Sequence, residues 1–156
     1  MPDLPTYAFS PKRVLVVEDD PVILEIVAEV LGEIDGLIVD TAGDGGTALR
    51  MARAAPPDAL LLDLMTPVLD GPQLVRALRA DRGTRHIPIA VMSAAAALDA
   101  ITDELHIEAH LHKPFDLREL EQTVCKLLEL NWHPFGLPHT THSTCALGAK
   151  CSTAND

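Results

Sequence analysis

Apolar and polar positions follow two rhythms along this chain, and the change from one to the other marks the elements. Arg13-Val14-Leu15-Val16-Val17-Glu18 is a short β-branched apolar run, which predicts a strand buried on both faces. Asp20-Pro21 follows and predicts a helix start. Asp accepts hydrogen bonds from free backbone N–H groups, and proline at the first helical position loses no donor that the helix needs. Val22 to Leu31 then sets Ile23, Ile26, Val27, Val30 and Leu31 on one stripe, with Glu25, Glu29 and Glu33 pointing away. The couple recurs. Leu37 to Thr41 reads as a strand closed by Gly43-Asp44-Gly45-Gly46, and Thr47 to Ala55 as a helix stopped by Pro56-Pro57. Asp58 to Asp63 is a third strand, and a turn with Pro67 and Asp70-Gly71 leads to a helix from Pro72 to about Ala80. Ile87 to Ser93 is a fourth strand, Leu98 to Leu105 a helix, and Ala109 to His112 a fifth strand. Asp116 with Glu119 predicts a capping box for a last helix running to about Leu130.

Five strands alternating with five helices predict an α/β fold: a doubly wound parallel sheet covered on both faces. Pattern alone does not choose among the doubly wound strand orders. The flanks differ from this region. Residues 1–11 hold three prolines without periodicity and read as an extended arm. Residues 132–156 are rich in His, Thr, Ala and Cys and read as a flexible tail, which leaves 12–131 as the domain. In that tail His139, His142, Cys145 and Cys151 are zinc-ligand types, but their spacing matches none of the strong templates.

Composition narrows the function. Among 156 residues, 23 acids against 12 bases give a formal net charge of -11. This excludes direct nonspecific nucleic-acid binding, which needs Lys and Arg to displace counterions, and docking on an anionic membrane. No apolar stretch reaches the roughly 20 residues of a membrane span, and the N-terminus carries no signal-like core. A cytoplasmic location is expected. Three cysteines make no disulfide framework, and Cys125 in the last helix reads as a small buried hydrophobe.

The chemistry is expected at the carboxyl ends of the strands, where open α/β sheets bind ligands. Strand one ends in Glu18-Asp19-Asp20, strand three in Asp63, strand four in Ser93, and Lys113 follows strand five. Converging carboxylates repel one another, and a hard divalent cation such as Mg²⁺ relieves that conflict. With a hydroxyl and an ammonium added, the set suits a phosphoryl group, and an aspartate can be the nucleophile. Asp20 reads as helix cap rather than metal ligand, and Asp70-Gly71 as turn chemistry. Ser93 and Lys113 are ordinary residues singly and gain meaning only from their company.

These elements resemble the receiver domain of two-component response regulators. The matching segments are Val16-Val17-Glu18-Asp19, the run Asp63 to Gly71, Val91-Met92-Ser93-Ala94 and Lys113-Pro114-Phe115. The resemblance covers residues 12 to about 130. It implies the flavodoxin-like strand order 2-1-3-4-5. It implies Asp63 as phosphoacceptor, Asp19 as direct Mg²⁺ ligand, Glu18 as ligand through water, and the Met65 carbonyl as a further ligand. Ser93 is then expected to bond the phosphoryl oxygen and move with it, and Lys113 to neutralise that group. A cis bond at Lys113-Pro114 is expected as well.

The chain departs from the family in places. Thr66 stands where methionine is common. His110 stands where an aromatic usually turns inward on activation, so Ser93 and His110 are the expected switch pair. Met65 and Ala95 replace polar residues that often position the hydrolytic water, which predicts a long-lived acyl phosphate. The expected function is a stand-alone response regulator, fed by a histidine kinase or phosphotransfer protein. It is expected to signal to a protein partner through helix 4, strand 5 and helix 5. That face carries Asp99, Asp103, Glu104, Glu108, Glu119, Glu121 and Glu129 against Arg118 and Lys126. It suits a basic protein rather than DNA, and it also allows a homodimer. Two other classes compete: an aspartyl-nucleophile phosphatase, which would want a second acid where Met65 stands, and an interaction module that never takes phosphate.

Overall fold

The computed structural model describes residues 10–94 and 98–130, with the side chains of 98–101 left aside. Residues 1–9 of the arm, the tail with its His and Cys residues, and Ala95 lie outside the described residues, as does the side chain of Asp99.

The elements are β1 (Lys12–Val17), α1 (Pro21–Gly32), β2 (Leu37–Ala42), α2 (Gly45–Ala54), β3 (Ala59–Asp63), α3 (Gly71–Ala80), β4 (Ile89–Ser93), α4 (Leu98–Leu105), β5 (Ala109–His112) and α5 (Leu117–Leu127). All strand pairs are parallel, in the order β2-β1-β3-β4-β5. This is the expected flavodoxin-like architecture.

Side chains of a strand alternate between its faces, so each central strand feeds two cores. Leu15, Val17, Leu60, Leu62, Ile89 and Val91 pack on the side of α2 and α3. Val14, Val16, Leu61, Ala90, Met92 and Leu111 pack on the side of α1 and α5. Every residue of β3 and β4 is buried, which is why both read as continuous apolar runs. Registry aligns the functional ends: Asp63 stands opposite Met92, and Ser93 opposite His112.

Several boundaries differ from expectation for local reasons. β4 starts at Ile89 rather than Ile87, because Pro88 has no N–H for the ladder. α2 starts at Gly45, capped by Asp44, whose carboxylate accepts the Thr47 N–H at 2.7 Å. The complete capping box belongs to α3, where Asp70 and Gln73 bond each other's backbones (2.9 and 3.1 Å). At α5 the expected box does not form: Asp116 accepts from the Arg118 N–H (2.8 Å), not from Glu119. That helix stops at Leu127 because Glu129 turns left-handed, with φ 55°. On α1, Val27 and Leu31 are buried, but Ile26 is 45% exposed. At 100° per residue it lies about 120° from the centre of the buried stripe.

The amino-terminal edge of the sheet is tied by Arg79. Its guanidinium donates to the carbonyls of Arg85, Ile87 and His106 (2.7, 2.7 and 3.0 Å) and to Glu108 (3.1 Å). Glu108 in turn accepts the Ile89 N–H at 2.6 Å. One side chain thus joins α3, the start of β4 and the α4–β5 connection.

Candidate functional site

At the opposite edge, β1 and β3 end side by side and deliver Glu18, Asp19 and Asp63 to one place. Glu18 and Asp63 are buried and Asp19 is exposed. Each offers a carboxylate oxygen, and these oxygens lie within 4.8 Å of one another. Asp20 does not join them. It caps α1, accepting from the Val22 and Ile23 N–H groups (2.9 and 3.3 Å).

Lys113, just past β5, reaches back across the sheet. Its Nζ donates to Asp63 Oδ2 at 2.9 Å and to Glu18 Oε2 at 3.1 Å. The Lys113 backbone N–H donates to the Ser93 carbonyl (2.9 Å), which fixes where the side chain starts, and the Lys113-Pro114 bond is cis as expected. Ser93 is buried and lines a cleft of ≈ 480 Å³ with Asp19, Met65, Thr66 and Asp70.

The charges are not fully balanced. Burial pushes the Glu18 carboxyl above its ordinary value, and the Asp63 charge adds to that. The Lys113 ammonium and the Asp20 N–H oppose it. Burial works against the charge on Lys113. The hydrogen bonds to Asp63 and Glu18 outweigh it, so its pKa is raised and it stays an ammonium at neutral pH.

The β3–α3 loop shapes the cleft. The Met65 N–H donates to Asp63 Oδ1 (3.0 Å), while the Met65 side chain is 77% exposed. Thr66 is buried, and its hydroxyl donates to the Leu69 carbonyl (3.0 Å), so it ties the loop to itself. Two glycines allow close approaches. A Cβ at Gly45 would lie 2.0 Å from the Leu69 oxygen, and one at Gly71 would lie 2.7 Å from Leu64 Cα. The only hint of this in the sequence is that each follows a capping aspartate. His110 is exposed and does not line the cleft; its ring stands edge-on to that of His112, with ring centres 5.1 Å apart. Two of the described acids of the α4, β5 and α5 face are exposed but paired: Glu104 with Arg76 (3.2 Å) and Glu108 with Arg79 (3.1 Å).

The family model of the response regulator receiver domain matches residues 14–125. The chain belongs to this family. A receiver works in phosphorelay signalling, and its relatives bear this out. The transcriptional regulatory protein PrrA of Mycobacterium leprae is 43% identical over 121 residues, covering 76% of this chain and 51% of PrrA. The sensor histidine kinase TmoS of Ectopseudomonas mendocina is 35% identical over 130 residues, only 13% of its own length. This chain therefore spans about half the length of PrrA, and a small part of TmoS. Among solved structures, the chemotaxis response regulator CheY4 of Vibrio cholerae matches with TM-score 0.70 at 28% identity, covering 76% of this chain and 99% of CheY4. The receiver domain of the sensor histidine kinase PA1611 of Pseudomonas aeruginosa matches with TM-score 0.65 at 31% identity, covering 76% of this chain and 98% of that domain. That structure has a magnesium ion coordinated in its active-site cleft.

Proposed function

We propose that Asp63 accepts a phosphoryl group from the phosphohistidine of a histidine kinase or phosphotransfer protein. The observation that carries this reading is the single ammonium of Lys113 held between two buried carboxylates, Glu18 and Asp63, with Asp19 beside them. An Asp63 carboxylate oxygen bonds to phosphorus as the P–N bond breaks, and the electron pair leaves with the imidazole nitrogen. The Asp63 amide partner, Met65 N–H, orients the carboxylate. Lys113 neutralises a phosphoryl oxygen, and the Ser93 hydroxyl turns toward the group once it has arrived.

Glu18, Asp19 and Asp63, with the Met65 carbonyl, would hold Mg²⁺. Their hard oxygen donors suit that ion, and a cation would favour the ionised form of Glu18, whose carboxyl is raised chiefly by burial and in smaller part by the Asp63 charge. When bound, Mg²⁺ supplies neutralisation of the phosphoryl oxygens. The domain accelerates only its own phosphorylation and dephosphorylation. Met65 stands where an aspartyl phosphatase would want its second acid.

In this reading the receiver unit spans 12–131 and acts in the cytoplasm. Among the described residues no helix is long and apolar enough to cross a membrane. Ser93 and His110 bias α4, β5 and α5 toward binding a downstream protein, or a second copy of the chain. The acids of that face, Asp103, Glu119, Glu121 and Glu129 among them, favour a basic protein surface over nucleic acid.

Intact-mass measurement with acetyl phosphate and Mg²⁺ tests the proposal. The wild-type chain gains one phosphoryl group and Asp63→Asn gains none. Equal gain in both, or none in either while a known receiver is modified, overturns it.

A further inference from the structure

We propose that His110 and His112 on β5 form a binding site for a borderline divalent transition-metal ion, Zn²⁺ being the probe, distinct from the carboxylate cluster that suits Mg²⁺. Residues two apart on a strand share one face. Ala109 and Leu111 pack toward the core beneath α1 and α5, so His110 and His112 fall on the other face. β5 is the last strand of the sheet, and both histidines are exposed.

The spacing suits chelation. A metal–nitrogen bond of about 2.0–2.1 Å plus roughly 1.1 Å to the ring centre, taken twice at a tetrahedral angle, puts two ring centres about 5.2 Å apart. The observed separation is 5.1 Å, with the rings edge-to-face at 81°. The terminal torsion of an exposed histidine is a soft coordinate, so the proposal requires one ring to turn from the edge-to-face contact until a nitrogen of each faces a shared ion. Imidazole ligands select Zn²⁺, Cu²⁺ or Ni²⁺ over Mg²⁺, so the two sites divide the cations by ligand hardness. Among the described residues no further His, Cys, Asp or Glu joins the pair as a three-ligand group, so water completes the coordination.

The test uses the full chain with saturating Mg²⁺ and titrates Zn²⁺ alone. Calorimetry gives affinity and stoichiometry, and nitrogen-15 spectra of the histidine rings show which residues respond. The companions are His110→Gln, His112→Gln, and a tail variant combining His139→Gln, His142→Gln, Cys145→Ser and Cys151→Ser. The β5 substitutions are at exposed positions, and circular dichroism verifies their fold. The proposal expects His110 and His112 resonances to shift together and each single β5 variant to lose at least tenfold in affinity. It is overturned if wild type binds no Zn²⁺, if both β5 variants bind as wild type does, or if the tail variant alone abolishes binding. Phosphorylation enters none of these readings, so the outcome is independent of the assignment of Asp63.

Discussion

Glu18 is the residue at which the metal-free protein is least at ease. Its carboxyl is raised by burial, so the folded chain holds a proton there at pH values where the unfolded chain has released it. Stability from this group is complete below the ordinary carboxylate value of 4.5 and is lost as pH climbs through the raised value. Urea midpoints in chelator, measured across that range, should fall with pH in wild type and flatten in Glu18→Gln. The same variant should lose most of the stabilisation that added Mg²⁺ confers on wild type. Lys113 carries the same sign in a higher window: its raised value makes its contribution complete below its ordinary 10.5, and that contribution is lost only as pH climbs through the raised value. At Met65 the exposed thioether offers no partner to an attacking water. Met65→Asn adds one hydrogen bond of about 1 kcal/mol, which should shorten the acyl phosphate lifetime roughly five- to tenfold. Loss of label from isolated phosphoprotein checks it, and an unchanged lifetime contradicts it.

Among the elements, the β3–α3 connection holds the site, because Asp63 ends one element and Gly71 begins the next. A methyl group at Gly71 meets Leu64 backbone, which cannot yield as a flexible side chain could. Gly71→Ala should therefore cost about 1–3 kcal/mol in urea unfolding and slow phosphorylation by acetyl phosphate. The same connection shows what could be read beforehand. The strands were legible because buried parallel strands are continuous apolar runs, and their polar ends named Glu18, Asp63 and Ser93. Helix starts were less so: Asp44 and Asp70 read as turn residues but cap α2 and α3, since a cap and a turn use the same aspartate chemistry. The helical stripe drawn through Ile23, Ile26, Val27, Val30 and Leu31 is too wide: Ile26 is exposed, and the face that touches the sheet is narrower. The bridge from Lys113 to Glu18 spans 95 positions, and the His110–His112 contact depends on ring rotamers. Local pattern carries neither.

At the scale of the molecule, the sheet has two unlike edges. The carboxyl edge gathers buried charge around a cleft, while the amino edge is stitched by Arg79 and Glu108. Arg79→Ala leaves several carbonyls and Glu108 without their partner, and should lower stability by about 2 kcal/mol while Asp63 still takes phosphate. Urea unfolding together with intact mass checks both halves of that expectation. The knot at Arg79 has a mechanical meaning as well. It ties α3, the start of β4 and the entry to β5 together at the edge away from the cleft. If Asp63 is phosphorylated as proposed, the expected displacement is smallest at this tie and largest at the cleft ends of β4 and β5.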